Sequence, residues 1–213
     1  MEVSSFSFSM PIHIQFGRHV SRRTGAIANT NRWTKGLIVT DKGVAKAGLL
    51  EGIIDSLNAV NIGYEIFDEV QPNPTDTTTE KGAELLKNGG FDFIMAVGGG
   101  SSIYTGKGIA LLATTPGRLR DYEGHNVEDF YKIRVNPLFP LVAVPTTSGT
   151  GSEVGYWAIV TDRERKVKMA IAIYPENPGD PYLGPKIALV DPVLTLSLPR
   201  NQTAATLTLY VTH

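Results

Sequence analysis

The chain has 213 residues, 42% of them hydrophobic, which is enough for one substantial core or for one domain and the beginning of another. Lys plus Arg is 20 and Asp plus Glu is 21, so the net charge of −1 offers no basic face for nucleic acid. Without cysteine the chain forms no disulfide and no thiolate metal site, and no apolar run reaches the length of a membrane span. We therefore expect a cytoplasmic protein that binds neither nucleic acid nor a membrane.

Strand-like and helix-like segments alternate along the first half of the chain. Phe6 and Phe8 predict one strand, and Ile12, Ile14 and Phe16 predict a second one. Pro11, between them, indicates either an edge strand or a turn. Further strands are predicted at 37–39, 64–70, 91–97, 141–144 and 187–190, and helices at 44–60, 75–90 and 103–117. This alternation predicts an α/β fold in which helices flank a parallel sheet.

The second half is less regular. Residues 119–137 are charged and aromatic and predict a surface loop, whereas two apolar stretches around 162–165 predict a β-hairpin. At the end, Leu207, Leu209 and Val211 alternate with polar residues, and this period of two predicts a strand.

A glycine turn, defined here as Gly98–Gly100, joins a predicted buried strand to a predicted helix in the stretch "AVGGGSS". Such a turn lets the backbone approach a ligand, and the following helix N-terminus suits a phosphate. Ile103 stands where the dinucleotide-binding fingerprint requires its third glycine. The residues around Lys107 do not have the spacing of a Walker phosphate-binding loop either. Phosphate binding and an ordinary strand-to-helix turn both remain open from this stretch alone.

Two further features lie at predicted strand ends, where open parallel sheets bind ligands. The hydroxyl loop, defined as residues 145–153, reads "PTTSGTGSE" and is either a polar cradle for a cofactor or a surface turn. Asp41 follows the strand at 37–39 and is either a ribose-binding acid or a helix N-cap. Lys107 is either a lysine that approaches a phosphate or a solvated lysine on a helix, and we expect the second.

Three motifs together resemble the iron-dependent (group III) alcohol dehydrogenases. The family's "GGGSxxDxAK", "PTTxGTGSE" and "VDPxLTxSLPxxxTAATGMDALTH" correspond to "GGGSSIYTGK" at 98–107, "PTTSGTGSE" at 145–153 and "VDPVLTLSLPRNQTAATLTLYVTH" at 190–213. The resemblance covers essentially the whole chain and about the N-terminal half of a family member. It implies a Rossmann-like domain, similar to the N-terminal domain of dehydroquinate synthase, at 1–185, and the start of a truncated helical metal domain at 186–213.

The resemblance also implies an NAD site. The pyrophosphate is expected on the glycine turn, and the acid that follows the first strand favours NAD over NADP. The implied cofactor-binding residues are Asp41, Gly98, Gly99, Gly100, Ser101, Thr146, Thr147 and Thr150.

Departures from the family concern the metal, which the family holds with one aspartate and three histidines. Leu209 stands at the aspartate position, and only His213 matches a ligand. We therefore expect this chain alone to hold neither Fe²⁺ nor Zn²⁺, and we assign no catalytic residue. Tyr104 replaces the aspartate of the glycine motif and is expected to narrow the nicotinamide end of the groove.

The sequence thus predicts a truncated iron-type alcohol dehydrogenase that retains its NAD-binding domain. The family transfers hydride between primary alcohols or aldehydes and NAD(P), so a small alcohol or aldehyde is the expected substrate if activity remains. The alternative is a non-catalytic nucleotide-binding or oligomerisation module. We expect a homo-oligomer in either case, because loss of the helical domain exposes apolar surface.

Overall fold

A computed structural model describes residues 10–124, 135–174 and 179–211, with the backbone alone at 205 and 207–211. The strands are β1 (His13–Phe16), β2 (Lys35–Val39), β3 (Gly63–Phe67), β4 (Phe93–Gly98), β5 (Leu141–Pro145), β6 (Trp157–Asp162), β7 (Val167–Ala172) and β8 (Ile187–Val190). The α-helices are α1 (Thr24–Thr30), α2 (Lys42–Lys46), α3 (Glu51–Asn58), α4 (Asp76–Asn88), α5 (Gly100–Thr114) and α6 (Arg200–Val211). Short 3₁₀ helices cover Val20–Arg23, Leu119–Tyr122 and Pro192–Thr195.

The predicted parallel sheet is confirmed. Six strands pair in the order β1-β8-β5-β4-β2-β3, and each neighbouring pair is parallel. The central strands β4 and β5 are buried along their whole length, which explains their continuous apolar sequences. β1 lies at an edge, which is one of the two possibilities that Pro11 indicates. The strand predicted around Phe6 and Phe8 lies outside the described residues.

Alternate residues of the central strands belong to two separate cores. In β4, Met95 and Val97 join a cluster that includes Ile27 of α1 and Ile53 of α3. Their neighbours Ile94 and Ala96 join the opposite cluster, with Leu86 of α4 and Ile109 of α5. Helices therefore cover both faces of the sheet, and its strand ends are left to form a site.

The predicted hairpin is confirmed as the antiparallel pair β6–β7. The buried carboxylate of Asp162 accepts hydrogen bonds from the backbone N–H groups of Glu164 and Arg165, each at 2.9 Å, and closes the turn. The hairpin contributes Val160 and Met169 to a third apolar cluster, which also contains Leu111 of α5.

The strand predicted at the C-terminal end is wrong where the structure describes it. Residues 200–211 form α6, whose start is marked by a hydrogen bond from Thr203 N to Pro199 O at 3.0 Å. The hydroxyls of Thr203 and Thr206 donate to the carbonyls of Pro199 and Gln202, four residues earlier. Helical main-chain bonding thus overrides a short period-two pattern that has no partner strand beside it.

Two predicted boundaries also differ from the structure. The helix predicted at 44–60 is divided into α2 and α3, because Gly48 adopts a φ of 73° between them. The strand at 187–190, which the sequence assigns to a second domain, is β8, paired with both β1 and β5. The sheet therefore extends beyond residue 185.

Candidate functional site

The glycine turn follows β4 and requires glycine at its first position. Gly98 has a φ of 147°, and a Cβ on it would overlap the side chain of Ser102. Gly99 occupies the N-cap of α5, and no side chain caps that helix. The N–H groups of its first turn are therefore left for an acceptor outside the helix, as a bound phosphate would be.

The hydroxyl loop lies directly over the glycine turn. Thr146 N donates to Gly98 O at 3.0 Å, and a Cβ on Gly99 would lie 3.3 Å from the Thr147 hydroxyl oxygen. On the far side of the loop, Thr150 and the buried Ser152 lie beside Gly100. The two glycine-rich segments thus form one continuous polar surface.

Thr147 carries an unsatisfied polar atom. Its Oγ1 is buried and has no hydrogen-bond partner among the described residues. A buried hydroxyl without a partner costs about 1–3 kcal/mol. This position next to Gly99 fits a hydroxyl that is completed by a ligand on the glycine turn.

Both interpretations of Asp41 find support in the structure. Its Oδ1 accepts from Val44 N at 3.0 Å, so the residue is the N-cap of α2. Its Oδ2 faces the glycine turn, 3.6 Å from where a Cβ on Gly98 would lie. Capping therefore uses one oxygen and leaves the other on the side of the cleft.

A cleft of about 940 Å³, the candidate nucleotide cleft, collects these residues. The residues that line it include Asp41, Gly99, Gly100, Ser101, Thr146, Thr147 and Thr150. Gly98, the first residue of the turn, is not part of the lining, and its carbonyl accepts from Thr146 N. The structure therefore brings the eight predicted residues together. Their role in binding a cofactor remains a prediction.

One wall of the cleft was missed by sequence reasoning. Leu198, Pro199, Gln202 and Thr206, on α6 and the segment before it, line the side facing the hydroxyl loop. A Cβ on Gly149 would overlap the carbonyl of Thr206, so helix and loop are in close contact. Gln202 and Thr206 are four residues apart, a spacing that puts two residues on the same face of a helix. This spacing was the available sequence signal for that wall.

Lys107 is not the solvated lysine that the sequence predicts. Its side chain is only 1% exposed, and Nζ donates to the carbonyls of Gly155 at 2.7 Å and Trp157 at 2.8 Å. Burial lowers its pKa to about 7, and the negative charge of Glu153 opposes that shift.

Tyr104 is not among the residues that line this cleft, and its narrowing of the nicotinamide end stays a prediction. Its side chain packs against the third apolar cluster, which contains Val160 and Met169, and its ring centroid lies 5.7 Å from Nζ of Lys107.

The described residues do not fit the metal of the resemblance. Among them, no group of three or more His, Cys, Asp or Glu side chains is placed to hold an ion. Leu209 offers no donor atom, and His213 lies outside the described residues. A catalytic divalent metal normally needs three protein ligands.

No helix in the described ranges combines the length and apolar character that a membrane crossing needs.

The sheet order, the glycine turn and the cleft at the strand ends define a Rossmann-like α/β domain. The sequence profile of the family "Iron-containing alcohol dehydrogenase" matches residues 11–192. The chain belongs to that family.

Known proteins share this fold over about half their length. A choline dehydrogenase of Bacillus subtilis (strain 168) is 38% identical over 94% of this chain and 47% of its own sequence. An NAD-dependent methanol dehydrogenase of Bacillus methanolicus is 35% identical over 94% of this chain and 49% of its own. The crystal structure of a sulfoacetaldehyde reductase from Bifidobacterium kashiwanohense in complex with NAD⁺ has a TM-score of 0.82 and 29% identity, covering 96% of this chain and 50% of that one. The chain thus spans about half the length of the curated relatives it matches.

Proposed function

We propose that the chain binds NAD in the nucleotide cleft as the cofactor-binding part of an iron-type alcohol dehydrogenase. The observation that carries this proposal is the junction of the glycine turn and the hydroxyl loop, where uncapped helix N–H groups lie beside the orphaned Thr147 hydroxyl. Both are donors without acceptors, and a pyrophosphate supplies acceptor oxygens. The NAD-dependent and NAD⁺-bound relatives support the choice of cofactor.

Each predicted residue has a role in this proposal. The backbone of Gly99 and Gly100 and the hydroxyl of Ser101 cradle the pyrophosphate, while Gly98 shapes the turn and holds Thr146 through its carbonyl. Thr146, Thr147 and Thr150 cover the pyrophosphate from the hydroxyl loop. Asp41 uses its free oxygen for the ribose hydroxyls of the adenosine and repels a 2′-phosphate, which disfavours NADP. Bound NAD would supply a hydride acceptor, and the chain's own residues hold it in place.

Thermal unfolding with and without NAD⁺ tests this proposal. A ligand that binds only the folded state raises the midpoint as its concentration rises above Kd. We expect NAD⁺ to stabilise the metal-free chain more than NADP⁺ at equal concentration. No stabilisation by either dinucleotide at millimolar concentration would overturn it.

Hydride transfer is not proposed for the chain alone, since the described residues provide no ligand set to polarise an alcohol oxygen. With primary alcohols and Fe²⁺ or Zn²⁺ we expect no steady NAD reduction by the pure chain. Steady turnover under these conditions would contradict this part of the proposal.

A second candidate function is assembly, favoured by exposed apolar side chains. Phe16 is 76% exposed at the edge strand, and Leu196 is 79% exposed before α6. Such surface drives association, and we propose a homo-oligomer. Sedimentation at tens of micromolar tests this, because a clean monomer would rule it out.

We also propose a cytoplasmic location, on the ground of the amino-acid composition, which contains no cysteine.

A further inference from the structure

Lys107 is a buried cation that lies outside the proposed cofactor contacts. It is on α5, is almost fully buried, and is not part of the lining of the nucleotide cleft. A buried ammonium group is costly unless it is hydrogen-bonded. Within the described parts of the chain, Nζ donates two hydrogen bonds, both to main-chain carbonyls, those of Gly155 and Trp157.

Those carbonyls lie where the hydroxyl loop leaves the site. Gly155 N bonds to Gly151 O at 3.1 Å and closes the turn after the loop, and Trp157 is the first residue of β6. The lysine therefore joins the helix that begins at the glycine turn to the exit of the hydroxyl loop.

The entrance of the loop is attached to the same unit. Thr146 N donates to Gly98 O at 3.0 Å, next to the start of α5. One end of the loop is thus held at the glycine turn and the other at Lys107, two helical turns further along α5. Thr147 and Thr150 lie between these two attachment points.

The surroundings of Nζ favour attachment of the hydroxyl loop by Lys107 over direct attraction of a phosphate. The ring of Tyr104, one turn earlier on α5, lies 5.7 Å from Nζ. Glu153, at the end of the hydroxyl loop, is the carboxylate whose charge acts on the ammonium. Desolvation lowers the lysine pKa to about 7, so burial weakens its value as a long-range charge.

We propose that Lys107 is a positioning residue of the nucleotide site, which holds the hydroxyl loop over the glycine turn through the carbonyls of Gly155 and Trp157. This rests on the proposed function only for its effect on NAD, because the attachment of the loop is a property of the free chain.

Hydrogen exchange of the ligand-free chain tests the attachment itself. Lys107→Met keeps the length of the side chain and removes both donors. We expect exchange of the amides of 146–155 to become about tenfold faster or more, as loss of hydrogen bonds to a charged group predicts, while amides in β4 keep their protection. Lys87→Met, at an exposed lysine on α4, is the matched control and should change neither.

Lys107→Gln separates positioning from charge, because its amide remains a donor for one carbonyl. If Lys107 positions the loop, Gln restores part of the loop protection and of the NAD⁺ affinity, whereas Met weakens NAD⁺ about tenfold. The proposal would be overturned if both variants lost the same NAD⁺ affinity while the loop amides exchanged as in the parent chain. That result would indicate that the charge of Lys107 attracts the phosphates directly. If the parent chain does not bind NAD⁺, the proposed function fails, while the exchange comparison still decides the role of Lys107. Should Lys107→Met fail to fold, Lys107→Gln carries the exchange comparison.

Discussion

At the scale of single residues, one carboxylate oxygen of Asp41 caps α2, and the other is proposed to bind the ribose. Ser also caps helices well, so Asp41→Ser is expected to keep α2 with a loss of stability below about 1 kcal/mol. Removing the charge ends the repulsion of a 2′-phosphate. Two charges 4 Å apart interact by about 1 kcal/mol even in water, so the preference for NAD over NADP should fall at least about fivefold. An unchanged affinity ratio in parallel calorimetric titrations would exclude the ribose role.

Gly98 provides the second prediction at this scale. Gly98→Ala places a Cβ at a φ of 147° and against the Ser102 side chain, so both stability and NAD⁺ affinity should fall. Gly90→Ala is the control, because Gly90 also has a positive φ, of 66°, but its Cβ would meet nothing within 4 Å. We expect the control to lose about 1 kcal/mol and to bind NAD⁺ normally. Normal NAD⁺ binding by Gly98→Ala would contradict the need for glycine at the turn.

At the scale of elements, the β6–β7 hairpin depends on the ionised carboxylate of Asp162. Hydrogen bonds from the backbone of Arg165 lower its pKa to about 2, and the side chains of Arg165 and Arg120 add to the effect. A lowered carboxyl pKa stabilises the fold above the unfolded value near 3.8, and this contribution is lost as pH falls from about 4 to about 2.

Urea unfolding of Asp162→Asn between pH 5 and pH 2 tests this dependence. We expect the free energy of unfolding to fall less steeply with acid in the variant than in the parent chain. Asp92 and Asp191 also have lowered pKa values, so the parent-minus-variant difference is the relevant quantity. Parallel curves would show that Asp162 does not contribute through its charge.

The elements also show what the sequence predicts well. Long apolar runs and marked helix ends were sufficient for β4, β5 and α4, where Thr75 caps the helix and Gly90 follows it with a φ of 66°. The short segment 207–212 was predicted as a strand because its six residues alternate between apolar and polar, whereas residues 207–211 belong to α6. Local pattern alone does not specify such a segment, whose state depends on its neighbours.

At the scale of the whole molecule, the site follows from topology more than from side-chain chemistry. Asp41, the glycine turn and the hydroxyl loop follow β2, β4 and β5, which are neighbours in the sheet, so their meeting was predictable once the strands were read as parallel. The placement of α6 against the cleft and the burial of Lys107 depend on long-range packing, which the helical spacing of Gln202 and Thr206 does not specify. Lys107 was predicted to be solvated because the helix sequence alone does not show that the carbonyls of Gly155 and Trp157 accept hydrogen bonds from it.

The central claim is that this half-length chain holds NAD in its own cleft. Calorimetric titration of the pure, metal-free chain with NAD⁺, and in parallel with NADP⁺, tests it most directly. The account predicts saturable binding of NAD⁺ in the micromolar to low-millimolar range, with weaker binding of NADP⁺. Absence of binding by both dinucleotides to a chain shown to be folded would contradict it.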